Sequence, residues 1–171
     1  MKNRKDMKQM KKTNKYKVVI AIVVVLLIID QALKIFANVN MHDQNKILID
    51  GVMNFTFFKN TGGFMGKPAN MATLIVTDFV IIALILRFII IQIEQMNNIT
   101  KISLSMVLAG GISNLIDRIF LRGIIDYISL NGVYANLSDV YEILGFVLFA
   151  LSLAIFTYKE MKNKKNRKKE G

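Results

Sequence analysis

Four apolar stretches, roughly Val18–Ala37, Ala72–Ile93, Ile102–Leu121 and Val140–Tyr158, constrain this chain more than any other feature. Each holds about 20 residues, enough at about 1.5 Å per residue to cross a hydrocarbon core of about 30 Å as a helix. A soluble bundle of buried helices is the competing reading. It fails because four such runs, in a 171-residue chain that is 53% hydrophobic, leave too few polar residues to cover a soluble surface. The expected fold is an all-α integral membrane protein of four transmembrane helices, with a small β-containing extracytoplasmic loop domain.

Charge sets the orientation. Residues 1–17 hold eight Lys/Arg and one Asp, and residues 159–171 hold seven Lys/Arg and two Glu. Those segments are +7 and +5, so a total of +11 leaves the other residues at −1. A nucleic-acid partner would need a basic face on a folded domain, not two short tails flanking apolar spans. The positive-inside rule accounts for them instead. Both tails, 1–17 and 159–171, are expected in the cytoplasm, with residues 18–158 as the membrane domain. An even number of spans agrees. The basic start and apolar core of the first span resemble a signal peptide, but no small-x-small cleavage site follows, so it reads as an uncleaved helix.

No Cys and a single His, His42, leave no thiol chemistry and no evident metal site. No metal and no cofactor are expected. The connection 38–71 reads as small strands, Lys46–Ile49 and Met53–Phe58, followed by a turn at Asn60-Thr61-Gly62-Gly63. Residues 94–101 form a short cytoplasmic loop, Arg122–Ser138 an outer loop, and the fourth helix starts near Asp139.

The acids are placed by depth. Asp30, Asp78, Asp117, Asp139 and Glu142 all fall toward the outer ends of their spans. A charge near mid-membrane costs about 2.5–3.5 kcal/mol on insertion scales, so one polar layer needs one explanation, a site. The segment NLIDRIFLRGIIDYISLNGVYANLSD, Asn114–Asp139, is the centre of that layer. No His is near it, which excludes a Ser-His-Asp triad. A Ser138–Lys34 pair is conceivable, though no spacing favours it. Two carboxylates sharing a proton can do acid–base work unaided, one activating water while the other polarises a carbonyl. Asp126 and Asp139 suit this, with Asn114, Asn136 and Arg118 to orient them or hold substrate carbonyls. Aspartates in membranes also serve as ion-pair anchors and proton relays. Asp30 and Lys34, four apart on one helix face, suit a plain ion pair.

Five segments in order carry a resemblance. Asp30-Gln31-x-x-Lys34 is similar to the DQxxK of lipoprotein signal peptidases, the type II signal peptidases of bacteria. Phe57 to Phe64, FFKNTGGF, is similar to their NxG-aromatic segment, and Gly110 to Arg118, GGISNLIDR, to their GGxxGNxxDR. Gly123 to Tyr127, GIIDY, resembles GxVVDF, and Asn136 to Asp139, NLSD, resembles NxAD. The resemblance implies a membrane aspartyl endopeptidase in the bacterial cytoplasmic (inner) membrane, with its site near the outer face. It would remove the signal peptide from diacylglyceryl-modified prolipoproteins, cutting on the amino side of the lipidated cysteine. Asp126 and Asp139 would be catalytic. Asn60, Gly62, Asn114, Arg118 and Asn136 would shape the site and bind substrate, and Asp30 and Lys34 would support it. Prolipoproteins and membrane lipid would be the partners of a monomer that binds no nucleic acid.

The chain departs from the family pattern at Ser113, where the family has Gly, and at Ser138, where it has Ala. Each change adds a hydroxyl at a close-packed position. The loop between the two aspartates is also short for the family. Two further readings follow. One is a non-catalytic paralogue that binds lipidated peptides. The other is a small proton-coupled carrier, which would place charges near the midplane and show repeated halves.

Overall fold

A computed structural model of the chain describes residues 4–42, 44–63 and 67–170; Phe64 and the outermost residues of both tails lie outside them. The described residues form four long helices and two pairs of short strands, one pair after the first helix and one before the last. They are α1 (Arg4–Asn40), β1 (Lys46–Ile49), β2 (Met53–Asn60), α2 (Met71–Gln92), α3 (Asn98–Leu121), β3 (Ile124–Leu130), β4 (Val133–Ala135) and α4 (Leu137–Glu170). Each helix contains a stretch long and apolar enough to cross a membrane: 13–40, 71–92, 98–121 and 137–163.

The centre of the bundle is α3. Its apolar window is 67% buried, against 6–17% for the windows of the other three, which turn most of their apolar surface outward. Such an arrangement suits a lipid solvent, where helices associate through close packing and polar contacts rather than by hiding from water. Small residues make the approach possible. A Cβ on Gly145 of α4 would sit 2.7 Å from the Ser103 carbonyl oxygen of α3, and one on Gly110 of α3 would sit 2.6 Å from the Ser138 carbonyl oxygen of α4. The two backbones therefore meet through glycine at both ends of their contact. Near the start of α3, the N-cap Asn97 accepts from the Thr100 N–H at 2.8 Å and donates to Ser152 of α4 at 3.1 Å.

The strands form one antiparallel sheet in the order β1-β2-β3-β4. β1 lies where the strand pattern placed it, and β2 continues two residues past Phe58 to Asn60. The segment 122–138, expected as a loop, is instead a hairpin on β2. Asn60 pairs with Ile124 and Phe58 with Asp126. The β3–β4 turn is Asn131-Gly132, both at positive φ (49° and 84°), between the paired Leu130 and Val133. That geometry is the two-residue hairpin that Asn-Gly favours, because its twist matches that of the strands. Ala37 of α1 and Met41, just past its end, pack with Ile125 and Tyr127 of β3, and this small core seats the sheet on the end of α1.

The tails also differ from expectation. Helix α1 begins at Arg4 instead of near Val18, and α4 runs on to Glu170. Lysine is a good helix former, and no Gly or Pro interrupts residues 4–40 or 146–170, so helices nucleated in the spans continue outward.

The glycine contact gives a direct test. In Gly145→Ala, the added methyl meets backbone as well as the Val107 side chain at 2.7 Å, so α3 and α4 must separate. A loss of about 1–3 kcal/mol is expected, the usual cost of overpacking. Thermal unfolding in detergent reads it, and an unchanged midpoint would refute the packing described.

Candidate active site

Helix α4 starts with a reciprocal cap. Asn136 at the N-cap accepts the Asp139 N–H on its Oδ1 at 3.0 Å, and Asp139 accepts the Asn136 N–H on its Oδ2 at 3.1 Å. This is the capping-box arrangement, with Asp in the usual Glu position. The cap leaves the Asn136 NH2 free to turn outward, where it donates to Asp126 Oδ1 at 2.7 Å. One asparagine therefore touches both aspartates, and the sequence-predicted pair is brought together from β3 and α4.

The remaining carboxylate oxygens each take one amide. Asp126 Oδ2 accepts from Asn60 Nδ2 at 3.3 Å, and Asp139 Oδ1 accepts from Asn114 Nδ2 at 3.1 Å. Asn60 sits at the end of β2, and its Oδ1 accepts the Gly62 N–H at 3.0 Å, which aims its NH2 at Asp126. Gly62 thus acts on the site through Asn60. Among the described residues, all four hydrogen bonds to the pair come from amide N–H groups, and neither aspartate makes an ion pair.

A second cluster lies behind the pair. Lys34 Nζ is 3.1 Å from a carboxylate oxygen of Asp30 and 3.1 Å from one of Asp117, and all three residues are buried. It also donates to Asn114 Oδ1 at 2.9 Å, which turns the Asn114 NH2 toward Asp139. Asp117 accepts the Ile125 N–H at 3.0 Å and fixes the start of β3 one residue before Asp126. Gln31, also in the first motif, donates to Asp117 at 3.1 Å and to the Ser113 hydroxyl at 2.8 Å.

Asp30 is fully buried and accepts from every side. Ser113 donates its hydroxyl at 2.6 Å, Tyr127 at 2.8 Å and Ser138 its N–H at 3.2 Å, and the Ser138 hydroxyl makes a further short contact. Tyr127 in turn accepts the Leu137 N–H at 3.0 Å. An acid of α1 and a phenol of β3 therefore satisfy the first N–H groups of α4, at the helix end where a negative charge is favoured. Both serines that depart from the family pattern donate to this one carboxylate. Since the Ser138 hydroxyl is buried and given to Asp30, it is not paired with Lys34 as a nucleophile.

Arg118 does not bond the aspartate pair directly. Its guanidinium bonds Asp78 of α2 at 2.5 Å, and among the described residues it makes no hydrogen bond to either candidate aspartate and its buried Nε has no partner. The partnership with Asp78 and the roles of Gln31, Ser113, Ser138 and Tyr127 were not foreseen. Only the spacing Asp30-Gln31-x-x-Lys34 hinted at them. No cluster of three or more His, Asp or Glu arranged to hold a metal occurs among the described residues.

The electrostatics of Asp126 follow from this geometry. Burial, and then the nearby Asp139, push its carboxyl up from 3.8 to about 6, against the opposing hydrogen bonds from Asn136 and Asn60. Burial and the adjacent Asp30 likewise push the Tyr127 phenol up, so it remains a donor.

Known proteins match this chain along most of its length. The family model for signal peptidase (SPase) II matches residues 22–156. The lipoprotein signal peptidase of Fusobacterium nucleatum subsp. nucleatum is 29% identical over 144 residues, 80% of this chain and 86% of that protein. Those of Clostridium tetani and Clostridioides difficile are 28% and 25% identical and cover 82% of this chain, with 92% and 97% of their own lengths. The fold is shared with a bacterial membrane enzyme solved at 2.3 Å, with a TM-score of 0.73 at 24% identity over 82% of this chain and 90% of that one.

Asp126 yields a prediction with a definite sign. An acid whose folded pKa lies above its unfolded value stabilises fully below the unfolded value and loses that stability as pH rises through the folded one. Asp126→Asn, which is never ionised, should therefore match wild type below about pH 4 and be more stable above about pH 6, by on the order of 2–3 kcal/mol. Chemical denaturation at both pH values measures the difference, and equal stability at high pH would contradict it.

Proposed function

The chain belongs to the signal peptidase II family, and from that premise we propose that it is an aspartyl endopeptidase whose working pair is Asp126 and Asp139. A bacterial membrane protease that removes prolipoprotein signal peptides is the established frame. The bond cut is the one on the amino side of the diacylglyceryl-modified cysteine.

The observation that carries the mechanism is Asn136 between the two carboxylates, with neutral amides as the hydrogen-bond donors to both. Amides orient an acid without neutralising it. Two like charges held close in a dry site then favour retention of one proton between them. We assign that proton to Asp126, whose carboxyl is raised to about 6 by burial and by Asp139. Asp139 takes a proton from water as the oxygen attacks the scissile carbonyl, while Asp126 protonates the carbonyl oxygen. Collapse of the tetrahedral intermediate returns a proton to the leaving amine and frees the signal peptide.

Asn is close in shape to Asp but can do neither proton transfer. Asp126→Asn and Asp139→Asn should each reduce cleavage of a diacylglyceryl prolipoprotein by more than about a thousandfold, and the double variant should be little worse than either, because the groups act as a unit. A single variant that kept a tenth of wild-type turnover, a barrier change of about 1.4 kcal/mol, would exclude this pair. A non-catalytic binding protein would release no signal peptide at all.

The orientation we propose puts both basic tails in the cytoplasm and the sheet with the aspartate pair outside, as the positive-inside rule requires. An impermeant thiol reagent on intact cells should label a cysteine placed at Gln44 and spare one placed at Asn163. The reverse pattern would invert the molecule.

A further inference from the structure

One acid in the bundle has no place in the mechanism. Glu142 follows Asp139 by three residues, so the two project from one face of α4 with Glu142 a turn farther from the cap. Its side chain lies across the paired glycines of α3. A Cβ on Gly110 would be 2.6 Å from Glu142 Cγ and 3.2 Å from its Oε1, and a Cβ on Gly111 would be 3.8 Å from Oε1 and 3.6 Å from Ile82 of α2. The missing side chain of Gly110 gives the carboxyl this seat, and Gly111 and Ile82 of α2 line it at ordinary contact distance. Glu142 is half-buried and makes no hydrogen bond or ion pair among the described residues. The Arg118 guanidinium of α3 is given to Asp78 of α2. A polar group kept at membrane depth without an internal partner calls for an external one.

We infer that Glu142 is a specificity-determining residue, whose carboxyl group accepts a hydrogen bond from a hydroxyl side chain on the signal peptide just before the cut. This rests on the peptidase reading above, which sets the direction of the substrate. A signal peptide rising from the cytoplasm reaches the pair from below, so the residues before the cut pass the level of Glu142. Three helical residues are about 4.5 Å, and an extended peptide advances about 3.3 Å per residue, which places the contact one or two residues before the bond. A serine or threonine fits this reading better than a lysine, because an ammonium would have to shed its water against apolar walls. A site built to bond a hydroxyl rejects an analogue that lacks it, since its own polar group is then left unpaired.

The test uses the full chain in phospholipid–detergent micelles and diacylglyceryl prolipoprotein peptides carrying Ser, Ala or Leu at each of those two positions. Wild type should cleave the serine peptide with a kcat/KM about tenfold or more above the alanine peptide at one of the positions. In Glu142→Leu that ratio should fall to about one, and in Glu142→Gln, whose amide oxygen still accepts, most of it should survive. Equal rates for serine and alanine peptides with wild type alone would overturn the inference, whatever the variants do. So would an unchanged ratio in Glu142→Leu, including one where all peptides slow together. If wild type cleaved none of the peptides, the peptidase reading would fall and this inference with it.

Discussion

The ammonium group of Lys34 holds together the parts on which everything else depends. It lies between two buried carboxylates, and each of them reaches a different element. Asp30 receives the first turn of α4, Asp117 receives the first N–H of β3 bonded by a side chain, and Asn114, turned by the same lysine, reaches Asp139. Removing one partner of such a buried pair leaves an uncompensated charge and typically costs about 3–5 kcal/mol. Here the cost would be shared by every element that carries a site residue. In a bundle with little hydrophobic force between helices, one satisfied ionic hub supplies the specificity that a packed core gives a soluble protein.

The hub and the aspartate pair are built on opposite principles. Asp30 is saturated by a cation, three hydroxyls and a backbone N–H. Asp126 and Asp139 receive neutral amides, one per oxygen. Partners of the first kind lock an acid in place, whereas those of the second fix its direction and leave its proton negotiable. Asn114 separates the two regimes, since it accepts from Lys34 on one side and donates to Asp139 on the other. Ser113 and Ser138 add to the rigid side, and neither touches the pair directly.

The sequence was readable where local physics decides. Span length and hydropathy gave the four helices, and residue chemistry alone suggested Asp126 with Asp139. The cap at Asn136 and Asp139 was also written locally, as an amide at the N-cap and an acid three residues on. The Asn131-Gly132 turn that joins β3 to β4 was equally legible, but the second partner of β3 is β2, more than sixty residues away, and nothing near β3 announces that pairing. Arg118 shows the other limit. Its bond to Asp78 depends on how α2 and α3 are rotated against each other, which apolar spans with weak amphipathic pattern do not encode in any one segment. The hydroxyls of Ser113 and Ser138 meet at Asp30 only once three helices have converged.

The sheet has a consequence for biogenesis. Its strands come from two connections separated by α2 and α3, and Asn60, Asn114 and Asn136 each arrive with a different part of the chain. A ribosome delivers these pieces in order, and domains form from the amino end first. While the chain is being made, Asp126 emerges before its companion, and the amide that joins them follows only at the threshold of α4. A nascent chain with three helices inserted therefore holds a seated hub and half a pair. If the pair works as proposed, the site closes with the last helix, and a protein that lives among the signal sequences of its neighbours is unarmed until its own insertion is finished.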